Sequence, residues 1–534
     1  MELRGIWGAL LGAITAAPLI AIFYLGHAIA SLPFVPFDIF DWMARSLPGG
    51  VLTFGIDSLV KVIRGLSLGD TASVSKSAEH AMAIVGCVLT AAVAGAIFFA
   101  LRPRGERSAL AGTILGAVLG VPLGLLSAKM NATAGATVAM GFIWVVLAFA
   151  SWGVCLEWLR WRLSIAGELP TREPIEAGER IDRRRMIVRV IGASAAVTAA
   201  GVAAGTIAGF DRSKRLSTSA KRWSETHALP NAAATVKPVP GTRPELTPLE
   251  RHYRIDIDSM PMMIDAKNWA LRISGLVEKP LELTLQDIRG RYEPMHQFVT
   301  LSCISNPVGG DLVGTTRWTG ASMQRVLPDL GLRRSATHLK MSSADGFYEV
   351  LPLATIMADP RVMLTYDWDG VPLLPEHGFP LRIYIPNLYG MKQPKWIASI
   401  EGIDHEEPGY WVVRGWDAQA RMKATSVIDV IASNHIETRG ARRVVPVGGI
   451  ARAGDRGISK VEVKVDDGPW QLAESRTPLS STTWVLWRYE WPYAAGRHTF
   501  TVRCFDGKGT PQIETEAPPH PSGASGLHSR TVEL

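Results

Sequence analysis

The 534-residue chain carries a formal net charge of +7, and it is longer than one hydrophobic core normally serves, so about two to four folding units are expected. Residues 1–210 hold several nearly charge-free stretches, and part of the basic excess lies in short clusters beside them. That placement fits membrane orientation and argues against nucleic-acid binding. Four cysteines, Cys87, Cys155, Cys303 and Cys504, are too scattered for a disulfide framework or a structural zinc cluster.

Five segments reach the length of about 20 residues that a bilayer demands of a helix. They run from Ile6 to Ala30, Ala81 to Leu101, Ala109 to Ser127, Ala134 to Leu156 and Ile187 to Ile207. If Arg4 is cytoplasmic, the arginines at 102, 104 and 107 and those from 160 to 185 fall on the same side. Everything after about Asp211 is then extracytoplasmic, and the chain is a multi-pass protein of the cytoplasmic membrane in contact with lipid. Val51 to Val62 has an apolar face interrupted by Asp57 and Lys61, as expected of an interfacial or external amphipathic helix. His27 and His80 fall near span ends and make a poor pair of haem ligands, so no haem is expected. Residues 211–250 lack sustained periodicity and are expected to form a linker, part of it packed along the soluble surface.

From Tyr253 the pattern changes to short strands and helices. Trp269 to Ile273, Leu339 to Met341 and Leu381 to Ile385 read as strands. Thr284, with Asp287 three residues on, reads as the N-cap of a short helix, and Ser322 to Leu327 also looks helical. A compact α+β domain is expected over 251–420. No dinucleotide-binding or P-loop glycine motif is present. Beyond Arg421, the strands Ser459 to Val465, Thr483 to Trp491 and Arg497 to Phe505 suggest a β-sandwich occupying 421–534.

The segment Phe298 to Gly310 runs from a strand into a Gly/Pro-rich loop that begins at Cys303. A strand end is a rigid place from which to present a side chain. On these residues alone Cys303 is a metal ligand, a nucleophile or a small buried apolar residue. An ordered series of motifs narrows the choice. Tyr253-Arg254, Asp265 to Trp269, Leu271 to Pro280, Leu301 to Asn306, Arg317 to Gly320, Ser343 to Tyr348, Leu374 to Arg382 and Lys392 to Trp396 together resemble the molybdopterin-binding domain of the sulfite oxidase family. Residues 421–520 resemble its accompanying immunoglobulin-like dimerisation domain, which implies a possible homodimer.

The resemblance implies a molybdenum-molybdopterin cofactor with Cys303 as the protein's metal ligand. It implies that Tyr253, Arg254, Asp345, Tyr348, His377, Arg382, Lys392 and Lys395 surround the cofactor, and that Asn306 and Trp416 stand at the catalytic face. Two positions depart from the family: Pro307 replaces an arginine, and Trp416 replaces an active-site tyrosine. Both weaken an assignment to sulfite, and a fold that has lost turnover and serves as a membrane scaffold or binding protein is the alternative reading. The implied activity is two-electron oxygen-atom transfer on a small oxo-anion, sulfoxide or N-oxide, with a separate cytochrome or quinone-linked electron carrier. Arg183-Arg184-Arg185, directly before the fifth span, resembles a reduced twin-arginine export signal.

Overall fold

The computed structural model describes residues 2–66, 71–102, 108–131, 137–165, 177–216, 221–440 and 442–534. Arg104 and Arg107 lie outside them, as do the side chains of Asp57, Lys61, Arg183 and Arg184. The chain divides into two compact units, Met1–Leu47 with Ser75–Ser217 and Ile257–Met260, and Pro48–Val74 with Thr218–Asp256 and Pro261–Leu534.

In chain order the long helices are α1 (Glu2–Ala30), α2 (Val35–Ser46), α3 (Gly49–Gly65), α4 (Thr71–Leu101), α5 (Ala109–Met130), α6 (Thr137–Ile165) and α7 (Ala177–Leu216). Five contain stretches long and apolar enough to cross a membrane: Arg4–Ala30, Ser73–Leu101, Ala109–Met130, Val138–Leu163 and Arg185–Ile207. They overlap the five expected segments, the start of the fourth, residues 134–136, lying outside the described residues. The stretch with Asp57 and Lys61 is helical as α3. The short helix α2 was not anticipated, because Asp38, Asp41 and Arg45 break its apolar run; Pro36 in its first turn supplies a start signal.

Glycine spacing explains the tightest pairing in the bundle. Gly112, Gly116, Gly120 and Gly124 recur every four residues and form one buried face of α5. A Cβ at Gly112 would lie 2.6 Å from the Gly153 carbonyl oxygen, and one at Gly120 would lie 3.0 Å from Phe149 Cβ, so α6 approaches backbone to backbone. Nearby, the buried Glu157 accepts from Arg160 Nε at 2.6 Å and from the Ser108 amide at 3.1 Å, so neither buried charge stands alone.

A second polar knot closes on the Ile257–Met260 segment of this unit. Asp41 accepts from the Ser259 amide at 3.0 Å and hydroxyl at 2.6 Å, and Arg45 pairs with Asp258. Lys76 Nζ donates to the Asp258 carbonyl at 3.0 Å. His80 lies 2.9 Å from the Ser259 carbonyl and stacks on Phe37. His80 is thus a structural tether for this segment.

The second unit holds a mixed α/β region followed by an antiparallel β region. In chain order the first ten strands are β1 (Ala270–Gly275), β2 (Leu281–Thr284), β3 (Met295–Ser302), β4 (Val313–Ser322), β5 (His338–Ser343), β6 (Tyr348–Pro352), β7 (Met363–Trp368), β8 (Val371–Pro372), β9 (Arg382–Tyr384) and β10 (Ile397–Ile403). One sheet has the order β2-β1-β10-β5-β6, with β1 and β10 parallel; the other runs β3-β4-β7-β8, with β9 also on β7. Alternating apolar residues such as Leu271, Ile273, Leu339 and Met341 fill the core. The expected N-cap is present: Thr284 Oγ1 accepts from the Asp287 amide at 3.1 Å, and Asp287 returns to the Thr284 amide at 3.0 Å.

The remaining strands are β11 (Thr425–Ile431), β12 (Glu437–Arg439), β13 (Arg442–Arg452), β14 (Ile458–Val465), β15 (Gln471–Ser475), β16 (Val485–Pro492), β17 (Arg497–Asp506) and β18 (His528–Glu533). They form one continuous antiparallel path, β11-β13-β16-β15-β14-β17-β18, with β12 on β13. The path is barrel-like: β15 pairs with both β14 and β16. The expected linker is partly built into this unit. Buried Arg476 donates to the carbonyls of Asn231, Ala234 and Val236 and pairs with Glu245.

Candidate cofactor site

Cys303 follows β3 directly, and two sets of contacts fix it there. Its amide donates to the Leu312 carbonyl at 3.0 Å, while Asn306 Oδ1 accepts from the Leu312 amide at 3.0 Å and closes the loop. On the other side, Ser480 and Thr482 each donate a hydroxyl to the Phe298 carbonyl at 2.7 Å, and the Trp484 amide donates to Thr300 Oγ1 at 2.7 Å. The β region thus braces the strand that presents the cysteine. The Cys303 sulfur is buried, 2.9 Å from Ser305 Oγ. Burial pushes its thiol up, against the pull of the Ser305 hydrogen bonds.

Beside it, Tyr253 and Cys303 share one buried cluster with Trp318 and Trp368. His252 packs among the same rings, 5.6 Å from Trp368 and 5.5 Å from His377 between ring centroids. His377 ends a short 3-10 turn, Pro375–His377, and its neighbour Gly378 has φ +106°. A Cβ at Gly378 would sit 3.0 Å from Lys395 Cβ and 3.2 Å from Arg382 Cβ, so glycine lets these chains converge. Arg382 donates Nη1 to the His377 carbonyl at 3.1 Å and lies over the Trp318 ring.

Burial and the nearby Arg382 push His252 down to about 3. Burial, His252, Arg382 and Arg254 hold His377 well below its ordinary range. Both imidazoles are therefore neutral, each with one donor and one acceptor nitrogen. Burial also lowers Arg382, to about 10, leaving it charged at neutral pH.

The other expected residues fall into separate groups. Arg254 and Lys395 share the carboxylate of Asp256, whose side chain is closed to solvent, and Lys395 also donates to the Glu376 carbonyl at 3.0 Å. Trp416 packs with Ile304, Tyr389 and Met391, next to the cysteine loop. Lys392 instead pairs with buried Glu349 at 2.8 Å. Asp345 accepts from the Phe347 amide at 3.0 Å, and Tyr348 packs edge-on against Tyr410. His252, Asp256, Trp368 and Glu349 were not anticipated. His252 adjoins the Tyr253-Arg254 motif and was legible there; Asp256 emerges only when segments 139 residues apart meet.

Five buried nitrogens in this cluster have no hydrogen-bond partner among the described residues: both ring nitrogens of His252, the indole nitrogens of Trp318 and Trp368, and Arg382 Nε. Orphaned buried polar atoms are costly and rare. Their concentration around one cysteine fits a large, heteroatom-rich anionic group, as molybdopterin is. His252, Trp318, Trp368, His377 and Arg382 would hold its polar edge and Cys303 its metal.

A buried cysteine ringed by unpartnered nitrogens is the kind of site that takes a large polar cofactor. Residues 258–411 match the family model described as oxidoreductase molybdopterin binding domain. The uncharacterized oxidoreductase YuiH of Bacillus subtilis (strain 168) is 31% identical over 159 residues, covering 29% of this chain and 76% of that protein. The mitochondrial sulfite oxidase of Macaca fascicularis is 27% identical over 333 residues, covering 55% of this chain and 59% of that protein. The chain thus spans less than two thirds of that sulfite oxidase's length. Among solved structures, the sulfane dehydrogenase SoxCD of Paracoccus pantotrophus is similar with a TM-score of 0.49 at 19% identity, over 60% of this chain and 90% of that one. This chain belongs to the oxidoreductases built on the molybdopterin-binding domain and is a distant relative of the sulfite oxidases.

Proposed function

We propose that the chain is a membrane-anchored molybdenum oxidoreductase that carries out two-electron oxygen-atom transfer on a small oxo-compound and exchanges electrons with a separate cytochrome or quinone-linked carrier. The observation that carries this reading is the group of buried, unanswered imidazole, indole and guanidinium nitrogens beside a cysteine fixed at a strand end. When bound, the molybdenum-molybdopterin group supplies the two-electron chemistry. Cys303 is the protein's thiolate ligand to the metal. The Asn306-closed loop and the Ser480–Trp484 brace keep that sulfur in place. His252, His377 and Arg382 orient the cofactor by hydrogen bonds, and Arg254 and Lys395, tied through Asp256, hold the adjoining rim.

Trp416 offers an indole N–H to the reacting face. Its indole donates a hydrogen bond and transfers no proton. Asp345 and Tyr348 belong to the wall with Phe347 and Tyr410. In this reading residues 1–210 anchor the protein in the cytoplasmic membrane, the catalytic region 251–420 is extracytoplasmic, and 421–534 serves as an immunoglobulin-like dimerisation module.

Metal and pterin analysis of the purified full chain beside Cys303→Ser is the test. The wild type is expected to hold about one molybdenum and one pterin, and the variant to lose or grossly perturb the metal. A folded wild type without molybdenum overturns the reading, and an unchanged metal spectrum in the variant overturns the ligand assignment. Reduction or reoxidation by sulfite, sulfoxides or N-oxides then distinguishes an enzyme from a scaffold.

A further inference from the structure

Cys303 and Ser305 share one tight turn. The Asn306 amide donates to the Cys303 carbonyl at 3.3 Å, which makes the cysteine the first residue of that turn and the serine the third. Bonds from further along the loop hold the turn in place. Asn306 Oδ1 accepts from the Leu312 amide at 3.0 Å, and the Gly310 amide donates to the Pro307 carbonyl at 2.9 Å. A Cβ at Gly310 would stand 2.3 Å from Asn306 Oδ1, so the loop is folded down onto this asparagine. Pro307 disfavours a helical continuation at Asn306, and the turn ends there.

Within this frame Ser305 Oγ lies 2.9 Å from Cys303 Sγ, and the hydroxyl makes no other hydrogen bond among the described residues. Serines in turns commonly bond back to nearby backbone. This one is turned to the sulfur instead. In a free thiol either atom can be the donor. A metal-bound sulfur is a thiolate with no proton to give, so the contact then has a single sense: the serine hydroxyl donates and the sulfur accepts. Cys303 is only 8% exposed, which leaves little room for water to take the hydroxyl's place.

We infer that Ser305 is a positioning residue that acts on the metal through Cys303: its hydroxyl draws electron density from the thiolate, weakens the sulfur as a donor and raises the reduction potential of the bound metal. Hydrogen bonding around a cysteine sulfur is one of the means by which a protein sets the potential of a thiolate-bound metal. An electron-poorer sulfur favours the reduced, less positive metal. The inference rests on the function proposed above and adds to it a residue that sets the driving force for electron exchange.

The experiment uses the full chain in detergent, with molybdenum and pterin quantified and the melting temperature recorded for every sample. Wild type, Ser305→Ala and Ser305→Thr are compared by potentiometric titration, followed through the paramagnetic signal of the metal, and by the sulfur-to-metal charge-transfer absorption. Ser305→Ala removes the hydroxyl alone and is expected to shift the potential downward and to move the absorption band. Ser305→Thr keeps a hydroxyl at the same place and is expected to return both toward the wild type. A residue that merely shaped the loop would change metal content or melting temperature and leave the potential of the remaining metal where it was.

Equal potentials in the wild type and Ser305→Ala, at equal molybdenum content, overturn the inference. An upward shift contradicts its sense. The same shift in Ser305→Thr as in Ser305→Ala assigns the effect to disturbance of the loop and overturns it as well. Loss of molybdenum from folded Ser305→Ala, with retention in Ser305→Thr, makes the hydroxyl a requirement for holding the metal and replaces the tuning role. Absence of molybdenum and pterin from the wild type defeats the function proposed above; full cofactor content with an unmoved potential defeats this inference alone.

Discussion

Lys392 donates to Glu349 across 2.8 Å, with the lysine side chain 11% and the glutamate side chain 3% exposed. The pair occupies a position where the family resemblance leads one to expect a lysine for the pterin phosphate. Burial raises the Glu349 carboxyl, the lysine lowers it, and the second carboxylate oxygen has no partner. Lys392→Met therefore leaves a buried charge unanswered and is expected to destabilise the unit by about 3–5 kcal/mol at neutral pH, with most of the loss recovered in Lys392→Met/Glu349→Gln. Denaturant unfolding of the two variants measures this. Unchanged stability together with lost pterin would instead place Lys392 on the cofactor.

Asp41 and Asp258 give the helical unit a pH dependence of definite sign. Burial dominates at both and raises each to about 6, against the lowering effects of Ser259, Lys76 and Arg45. Lys76 and His80 of α4 reach the same segment, and Glu79 pairs with Lys76. A carboxyl whose folded pKa exceeds its unfolded value contributes stability fully present below about 3.9, lost as pH rises through about 6. The Ile257–Met260 segment is thus expected to be held most firmly in acid and to loosen between about pH 4 and 7. Hydrogen exchange at the Ser259 amide, corrected for its intrinsic rate, should show falling protection over that window. Protection that rises with pH would mean that the Arg45 pairing outweighs burial.

The span pattern and most strands were legible because they depend on local periodicity: uninterrupted apolar runs in 1–210, alternation at Ile458–Val465, and the Thr284 to Asp287 spacing of a capped helix. What could not be read was set by distant parts of the chain meeting. Nothing around Ser480 and Thr482 signals that their hydroxyls meet the Phe298 carbonyl, more than 180 residues earlier. The same holds for the pairing of the C-terminal strands, since strand spacing fixes strand number and leaves open that β15 pairs on both sides. Cys303 is legible through its motif, whereas Asp256, which joins Arg254 to Lys395, is not.

The α5/α6 contact is expected to tolerate no side chain at its centre. A Cβ at Gly116 would collide with the backbone of Phe149 and would lie 2.5 Å from Ala150 Cα, and backbone cannot rotate away as a side chain can. Gly116→Val is expected to destabilise the helical unit by about 1–3 kcal/mol. Gly86 has open space around it, so Gly86→Ala should leave stability nearly unchanged. Thermal unfolding of both in the same detergent decides the matter, and equal melting temperatures would refute tight packing along this face.

The arginine run before the fifth span separates two physical roles that lysine substitution pulls apart. As a positive-inside anchor, Arg183 to Arg185 act through charge alone, which lysine preserves. As a twin-arginine signal they act through a receptor that distinguishes guanidinium from ammonium. Replacing all three with lysine is therefore expected to leave the first four spans oriented as before, while α7 fails to cross and residues beyond about 221 stay inaccessible to protease added from outside. Accessibility of the soluble region equal to that of the wild type would leave the arginines the anchoring role only.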